Sequence, residues 1–247
     1  DIAFALREWV GWGRHDESVK ISRFMAEYGW HGHPSNRSGG VDNTAGNILA
    51  TQLCEIIRRC NHDPKVVEAI WKTISAYAAE VTAKAGENPY GLIRGTNWEN
   101  AGNREHGPCY ALSTTLGAAA GLRKAAGLAE RLGDAAAAKG WRELAADLRA
   151  ATLKHLVLQQ DHKCPTGFVL PKGTWAYGLR TDGKIEDRPL AGYFWAGGAP
   201  IEVDGLMPAT DRELYDVYDR TLKIAVPLME RRAHGVVSGY SDSYDGP

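Results

Sequence analysis

Long stretches of this sequence repeat apolar residues three and four positions apart, and this helical period constrains the fold more than any other feature. The stretch after Asp63 shows it best. Pro64 fits the first helical position there, Asp63 fits the N-cap, and Gly86 fits the end. The apolar stripe between these signals consists of Val67, Ile70, Ile74, Tyr77 and Val81. The sequence therefore predicts a helix from Pro64 to Gly86.

The same period recurs on both sides of this helix. Further helices are predicted from Asn43 to Cys60, from Pro108 to Leu132, from Ala135 to about Leu158, and from Thr210 to about Arg232. Residues 163–208 are rich in Gly and Pro and lack periodicity, which favours short strands or ordered loops. Helix pairs joined by alternating short and long links predict an all-α fold, an array of helical hairpins curved into a barrel or solenoid.

Charge and hydropathy exclude several function classes. Lys and Arg number 29 against 30 Asp and Glu, so nothing favours a nucleic-acid partner or a polybasic membrane anchor. No apolar run approaches the roughly 18–20 residues that span a bilayer. We therefore expect a soluble protein with no membrane or nucleic-acid partner; its location stays open, with extracellular favoured over cytoplasmic. Its eight Trp and ten Tyr suit wet, concave binding surfaces as well as cores.

The four cysteines and the chain ends leave further questions open. Cys54, Cys60, Cys109 and Cys164 form no CxxC pair, so free thiols and one or two disulfides both stay open. The sequence starts at Asp1 rather than Met and stops within the turn-rich residues 239–247. We expect a single catalytic domain over 1–247 that has been cut from a longer protein at both ends.

Residues 95–107 form the strongest candidate for a chemical site. Glu99 follows Trp98, and Arg104 and His106 come soon after. Burial against an aromatic ring raises the pKa of a carboxyl group, and a raised pKa suits a proton donor. A capping Glu beside a Trp that anchors a loop is the structural alternative.

Two further segments have weaker signals. Asp42, within residues 39–46, fits either a helix N-cap or a substrate contact. His31 and His33 could bind a metal, but no other ligand has matching spacing, so no metal or cofactor is predicted. Phosphate-binding loops and the nucleophile elbow of serine hydrolases are absent from the sequence.

The order of these motifs resembles the glucoamylase-like glycoside hydrolases, the inverting family 15 group with an (α/α)6 barrel. Residues 41–49 are similar to the family's Asp-containing turn, and Asn97-Trp98-Glu99 is similar to its general-acid motif. The segments that also resemble the family are His106 with Tyr110 and Ser113, Ala126–Asp134 with Trp141, and Met207–Asp211. One departure is Asn100, which stands where some members carry a second acid.

The resemblance implies an inverting hydrolase of an α-glucoside or related glycan. Glu99 would be the general acid, and the general base would lie beyond the last similar segment, outside this chain. Weaker candidates for the general base within the chain are Glu202, Asp204 and Asp242. The implied substrate-binding residues are Asp1, Asp42, Trp98, Arg104, His106, Tyr110, Trp175 and Glu202. For Trp98, Trp175 and Trp195, stacking on a sugar and packing in the core both stay open. The closed barrel needs twelve helices and the sequence predicts seven or eight at most, so we expect an incomplete toroid.

Two other classes of function stay open. One is a different enzyme on the same toroid: a glycoside phosphorylase, a sugar epimerase or a polysaccharide lyase. A lyase would use Tyr110 or His106 as the base and Arg104 to neutralise a uronate. The other is a non-catalytic carbohydrate-binding scaffold. The partner expected in every case is an oligosaccharide or polysaccharide, and the oligomeric state is left open.

Overall fold

The computed structural model describes residues 9, 12–28, 44–60, 64–95, 109–163, 169–176, 178–186 and 210–232. Six helices lie within these ranges: α1 (His15–Tyr28), α2 (Thr44–Cys60), α3 (Pro64–Gly86), α4 (Leu112–Arg131), α5 (Ala135–Leu156) and α6 (Arg212–Arg232). Four two-residue strands accompany them: β1 (Tyr110–Ala111), β2 (His162–Lys163), β3 (Val169–Leu170) and β4 (Gly178–Leu179). They form two antiparallel pairs, β1 with β4 and β2 with β3.

The mainly helical character expected from the sequence is confirmed. Helices α2, α3, α5 and α6 lie within about two residues of their predicted bounds, and short strands lie within residues 163–208. The predicted start of the fourth helix was wrong: it begins at Leu112 rather than Pro108, because Tyr110 and Ala111 pair with β4 first. Helix α1 was not predicted. Among the described residues, no helix is both long and apolar enough to cross a membrane.

Backbone contacts divide the chain into two compact units. The first contains residues 1–93 and 117–148, and the second contains 94–116 and 149–247. We call them the first and second units. The single catalytic domain expected over 1–247 stays a prediction.

Helices α1, α2 and α3 contact one another in the first unit. Two glycines of α4, Gly117 and Gly121, allow a close approach to this group. A Cβ atom on Gly117 would lie 2.9 Å from the Cβ of Asn47, and one on Gly121 would lie 2.8 Å from the ring Cζ of Tyr77. The hydroxyl of Tyr77, a fully buried residue, donates a hydrogen bond to Oδ1 of Asn47 at 2.7 Å. A glycine repeat spaced by four residues thus fits α4 against a hydrogen-bonded pair from α2 and α3.

A charged cluster joins α2 to α4 in the same unit. The carboxylate of Glu55 accepts hydrogen bonds from Arg58 (2.6 Å), Arg59 (3.0 Å) and Lys124 (2.6 Å). Arg131 donates to the carbonyl of Ile57 at 2.9 Å, near the end of α2. Cations suit this position because the last carbonyls of a helix lack partners within the helix.

The second unit contains a small apolar core and the start of α6. The core consists of Cys109, Ala111, Leu158, Leu170 and Ala176, with Ile185 packed against it. Asp211 precedes α6 and accepts a hydrogen bond from the backbone N–H of Leu214 at 3.3 Å. The guanidinium of Arg149 holds Asp211 at 2.7 Å and Glu213 at 2.9 Å.

Candidate functional site

The two ends of the segment that carries Glu99 are held together in the second unit. The N–H of Gly95 donates to the carbonyl of Cys109 at 2.8 Å, and Arg94 forms an antiparallel bridge with Tyr110. The segment between them, residues 96–108, lies outside the described residues. The backbone on both sides of this segment, at residues 94–95 and 109–110, is therefore paired.

This paired backbone is one edge of a small antiparallel ladder, in which the two-stranded sheet of β1 and β4 is extended on each side by an isolated bridge. Residues 94–95 pair with β1, β1 pairs with β4, and β4 pairs with residues 185–186. One row across this ladder contains Arg94, Tyr110, Leu179 and Ile185. The next row contains Ala111, Gly178 and Glu186, since the N–H of Glu186 donates to the carbonyl of Gly178 at 3.0 Å. Cross-strand partners share a face of a sheet, so each row places its side chains on one side.

A tight turn closes the second half of this ladder. Arg180 and Lys184 pair across a three-residue loop, with the N–H of Arg180 donating to the carbonyl of Lys184 at 2.8 Å. Gly183 adopts a φ of 82°, which the left-handed position after such a turn requires. The carboxylate of Asp182 accepts the N–H of Lys184 at 3.1 Å, and this hydrogen bond lowers the pKa of Asp182. The turn fixes the register that brings Glu186 beside Gly178.

Gly178 is required at the centre of the ladder. A Cβ atom there would lie 2.8 Å from the Sγ of Cys109 and 2.9 Å from the carbonyl oxygen of Tyr110. Real Cβ atoms essentially never approach other atoms so closely. A side chain at this position would therefore push β1 and β4 apart.

The ladder contains two charged residues that the sequence did not single out. Glu186 is fully buried (0% exposed), in the same row as Ala111. Arg94 is exposed, and none of the described residues accepts a hydrogen bond from its guanidinium. Neither has a local sequence signal, because their environments arise from pairing between distant parts of the chain. An Asp-Gly pair is a sequence signal for a hairpin, so Asp182-Gly183 could have pointed to the hairpin that leads to Glu186.

Two of the predicted substrate-binding residues lie within the described ranges. Tyr110 is 8% exposed and Trp175 is 1% exposed, so both side chains are buried. The backbone N–H of Trp175 donates to the hydroxyl of Thr221 at 2.9 Å, which joins it to α6. Its indole packs in the interior of the second unit and offers no open face to a sugar.

The remaining predicted site residues lie outside the described residues. They are Asp1, Asp42, Trp98, Glu99, Arg104, His106 and Glu202, together with the substitute bases Asp204 and Asp242 and the possible metal ligands His31 and His33. Within the described ranges, no group of three or more His, Cys, Asp and Glu side chains could hold a metal ion.

Neither thiol that the structure describes belongs to a disulfide, and both are buried. Cys109 belongs to the ladder, and Cys54 lies in α2. Burial raises the pKa of the Cys54 thiol well above its ordinary value, which makes it a poor nucleophile. The side chains of Cys60 and Cys164 lie outside the described residues, so the choice between free thiols and a disulfide stays open for these two residues.

No protein-family model, curated protein or solved structure matches this chain.

Proposed function

We propose that this chain carries the general acid of an inverting glycoside hydrolase that acts on an α-glucoside or a related glycan. Glu99 is the proton donor, and the general base lies outside residues 1–247. An incomplete (α/α)6 toroid of helical hairpins is part of this proposal. It is supported by the contact between α2 and α3 and by the glucoamylase-like motifs around Trp98 and Glu99.

One observation carries the proposal: the base of segment 96–108 is closed by two pairings, Gly95 with Cys109 and Arg94 with Tyr110. Catalytic groups need a rigid support to meet a reacting atom in a defined position, and segments mounted on such a support frequently carry function. The pairings of residues 94–95 with 109–110 supply such a support at the two ends of the segment.

The proposed reaction is a single displacement. Glu99 gives its proton to the glycosidic oxygen as the bond from that oxygen to the anomeric carbon breaks. A water molecule attacks the same carbon from the opposite face and gives its proton to the general base. The product sugar has inverted configuration. The two carboxyl groups of such enzymes are roughly 6.5–9.5 Å apart, which leaves room for the water.

The test is a Glu99→Gln variant of the intact protein, assayed on a panel of α-glucosides. We expect kcat to fall about 100-fold or more, because the amide cannot protonate the leaving group. The loss should be much smaller for α-glucosyl fluoride, whose leaving group needs little protonation. Glu87→Gln is the matched control, since this exposed Glu lies just after α3, and it should retain full activity.

Product analysis separates the other classes of function. Proton NMR of the first product should show the β-anomer. A sugar phosphate would indicate a phosphorylase, and an unsaturated uronate absorbing in the ultraviolet would indicate a lyase. Glycan binding without turnover would indicate a non-catalytic scaffold. Normal turnover by Glu99→Gln would remove Glu99 from the mechanism.

A further inference from the structure

We propose that a cationic cluster in the C-terminal halves of α2 and α4 binds a phosphate group, either as the free ion or as an ester on a small molecule. The cluster consists of Arg58, Arg59, Lys124 and Arg131, grouped around Glu55. It lies wholly within the first unit, and the inference does not depend on the proposed hydrolase mechanism.

The four cations are connected to one another through Glu55 and the backbone beside it. Oε2 of Glu55 accepts hydrogen bonds from Arg58 at 2.6 Å and from Arg59 at 3.0 Å, and Oε1 accepts one from Lys124 at 2.6 Å. Arg131 donates to a backbone carbonyl of α2 at 2.9 Å, two residues after Glu55. The cluster is therefore a continuous set of contacts between two helices.

The cluster has a surplus of positive charge. Burial would raise the pKa of Glu55, but its hydrogen bonds outweigh burial and lower this pKa to about 2, so Glu55 supplies one negative charge at neutral pH. The C-termini of α2 and α4 supply about half a negative charge each, so the four cations exceed these charges by about two. Glu130, next to Arg131 in the sequence, does not reduce the surplus, because Arg142 pairs with it.

Packing between the helices accounts for only part of the cluster. Lys124 and Arg131 join α4 to α2, whereas Arg58 and Arg59 lie on the same helix as Glu55, three and four residues after it. The plain alternative is that these two arginines are solvated and offset the helix dipole. However, two cations that share one carboxylate oxygen repel each other, and a bound anion offsets this repulsion.

The cluster has donors within reach of a ligand. The side chains of Arg58, Arg59 and Lys124 are between 41% and 60% exposed, whereas that of Glu55 is 10% exposed. Arg59 bonds to Glu55 through Nε, and neither of its Nη atoms donates to a described residue. Arg131 bonds to α2 through Nη1, and its Nη2 donates to no described residue.

Phosphate matches both the donors and the charge. A guanidinium fork donates to two oxygens of one phosphate at once. A phosphate monoester has a charge of about −1.5 to −2 at pH 7, which is close to the surplus of the cluster. A single carboxylate would offset only about half of it. The charge therefore favours a phosphate over a carboxylate ligand.

The test is calorimetric titration of the intact protein with sodium phosphate, at constant ionic strength set with NaCl. We expect saturable binding that Arg59→Gln weakens about 10-fold, because this change removes hydrogen bonds from a charged donor. Arg59→Lys keeps the charge but loses the fork, so its Kd should lie between those of wild type and Arg59→Gln. The matched control is Arg14→Gln, since Arg14 is an exposed arginine of the first unit that pairs with the single carboxylate of Glu17. It should change Kd less than about twofold.

A second titration with glycerol phosphate identifies the source of the phosphate. Tighter binding of the ester would identify a phosphorylated small molecule, and tighter binding of inorganic phosphate would identify the free ion. Both results support the site. The melting temperature gives an independent readout, because a ligand that binds only the folded protein raises it, and Arg59→Gln should reduce this rise.

Two results would overturn the proposal. One is an equal rise in melting temperature with chloride at the same ionic strength, which would mean that the cluster is only screened. The other is an equal loss of phosphate binding in Arg14→Gln and Arg59→Gln. Neither result bears on Glu99, whose test measures the turnover of glycans.

Discussion

The Glu55 cluster of the first unit and the ladder of the second unit differ in where their charged side chains lie. In the first unit, the largely buried carboxylate of Glu55 is surrounded by Arg58, Arg59 and Lys124, and each of these cations has a partner within 3.0 Å. In the second unit, the ladder leaves Arg94 exposed with no described acceptor and buries Glu186 completely. The first arrangement stabilises the contact between α2 and α4, because three cations compensate the carboxylate of Glu55. We propose that the hydrolase function belongs to the second unit, because its residues 94–95 and 109–110 flank the segment that carries Glu99.

The first test concerns the glycines of α4 and the close packing of the first unit. We expect Gly121→Ala to destabilise the protein by about 3 kcal/mol, because a Cβ atom would overlap the ring of Tyr77, which is buried and hydrogen-bonded to Asn47. Gly127→Ala in the same helix meets nothing within 4 Å and should stabilise by about 0.5–1 kcal/mol. Urea unfolding of both variants is the measurement. Equal effects would contradict the close packing of α4 in the first unit.

Glu55 provides the second test, through pH. Burial alone would raise the pKa of Glu55, but hydrogen bonds from Arg58 and Lys124 outweigh burial and lower the pKa to about 2. A carboxyl group whose pKa is lower in the folded state than in the unfolded state stabilises the fold at pH values above the unfolded pKa. This contribution is lost as the pH falls through the folded pKa. Glu55→Gln should therefore lower the free energy of unfolding by about 2 kcal/mol at pH 7. The difference from wild type should shrink between about pH 5 and pH 2.

The control for this prediction is Glu68→Gln, which removes an exposed partner of Lys72 in α3. Exposed pairs of this kind contribute little to stability, so the melting temperature should not change. A Glu55→Gln effect that persists at pH 2 would show that the cluster acts through packing and not through charge.

Gly178 gives the corresponding test in the second unit. Gly178→Ala should destabilise by about 2 kcal/mol, because its Cβ atom would meet the Sγ of Cys109 and the backbone oxygen of Tyr110. The loss should be smaller when Cys109→Ala is also present, since that change removes one of the two clashes. Gly140→Ala, in α5, meets nothing within 4 Å and serves as the control. An additive double variant would show that the Sγ of Cys109 does not lie against position 178.

The helices were predictable because their signals are local. Helix α3 begins at Pro64 and ends at Gly86 as predicted, since both residues act on the backbone at their own positions. The start of α4 was predicted wrongly for the opposite reason. Pro108 is a local signal for a helix, but the pairing of Tyr110 with Leu179, which is distant in sequence, draws the next residues into a strand.

The candidate site was predictable only in part. The sequence pointed to the segment around Trp98 and Glu99, and the structure shows how the residues on its two sides, 94–95 and 109–110, pair with each other. The burial of Glu186 and the exposure of Arg94 could not be predicted, because each follows from which strands meet and not from neighbouring residues. Trp175 illustrates the same limit: a Trp in a Gly-rich stretch suits a sugar platform and a core equally well, and only its 1% exposure decides between them.

The smallest expected effect compares the helix caps of the two units. Asp134 caps α5 by accepting a hydrogen bond from the N–H of Ala137 at 3.0 Å, and its carboxylate forms no ion pair with a described residue. Asp211 caps α6 and is also held by the guanidinium of Arg149. Asp134→Ala should therefore destabilise by about 1 kcal/mol, the value of a cap alone, and Asp134→Ser should restore most of it. Asp211→Ala should destabilise by more, because it also leaves the guanidinium of Arg149 with one partner fewer. Equal losses in urea unfolding would mean that the ion pair of Arg149 adds nothing, and that the charged contacts of the second unit outside its ladder are as weak as ordinary surface pairs.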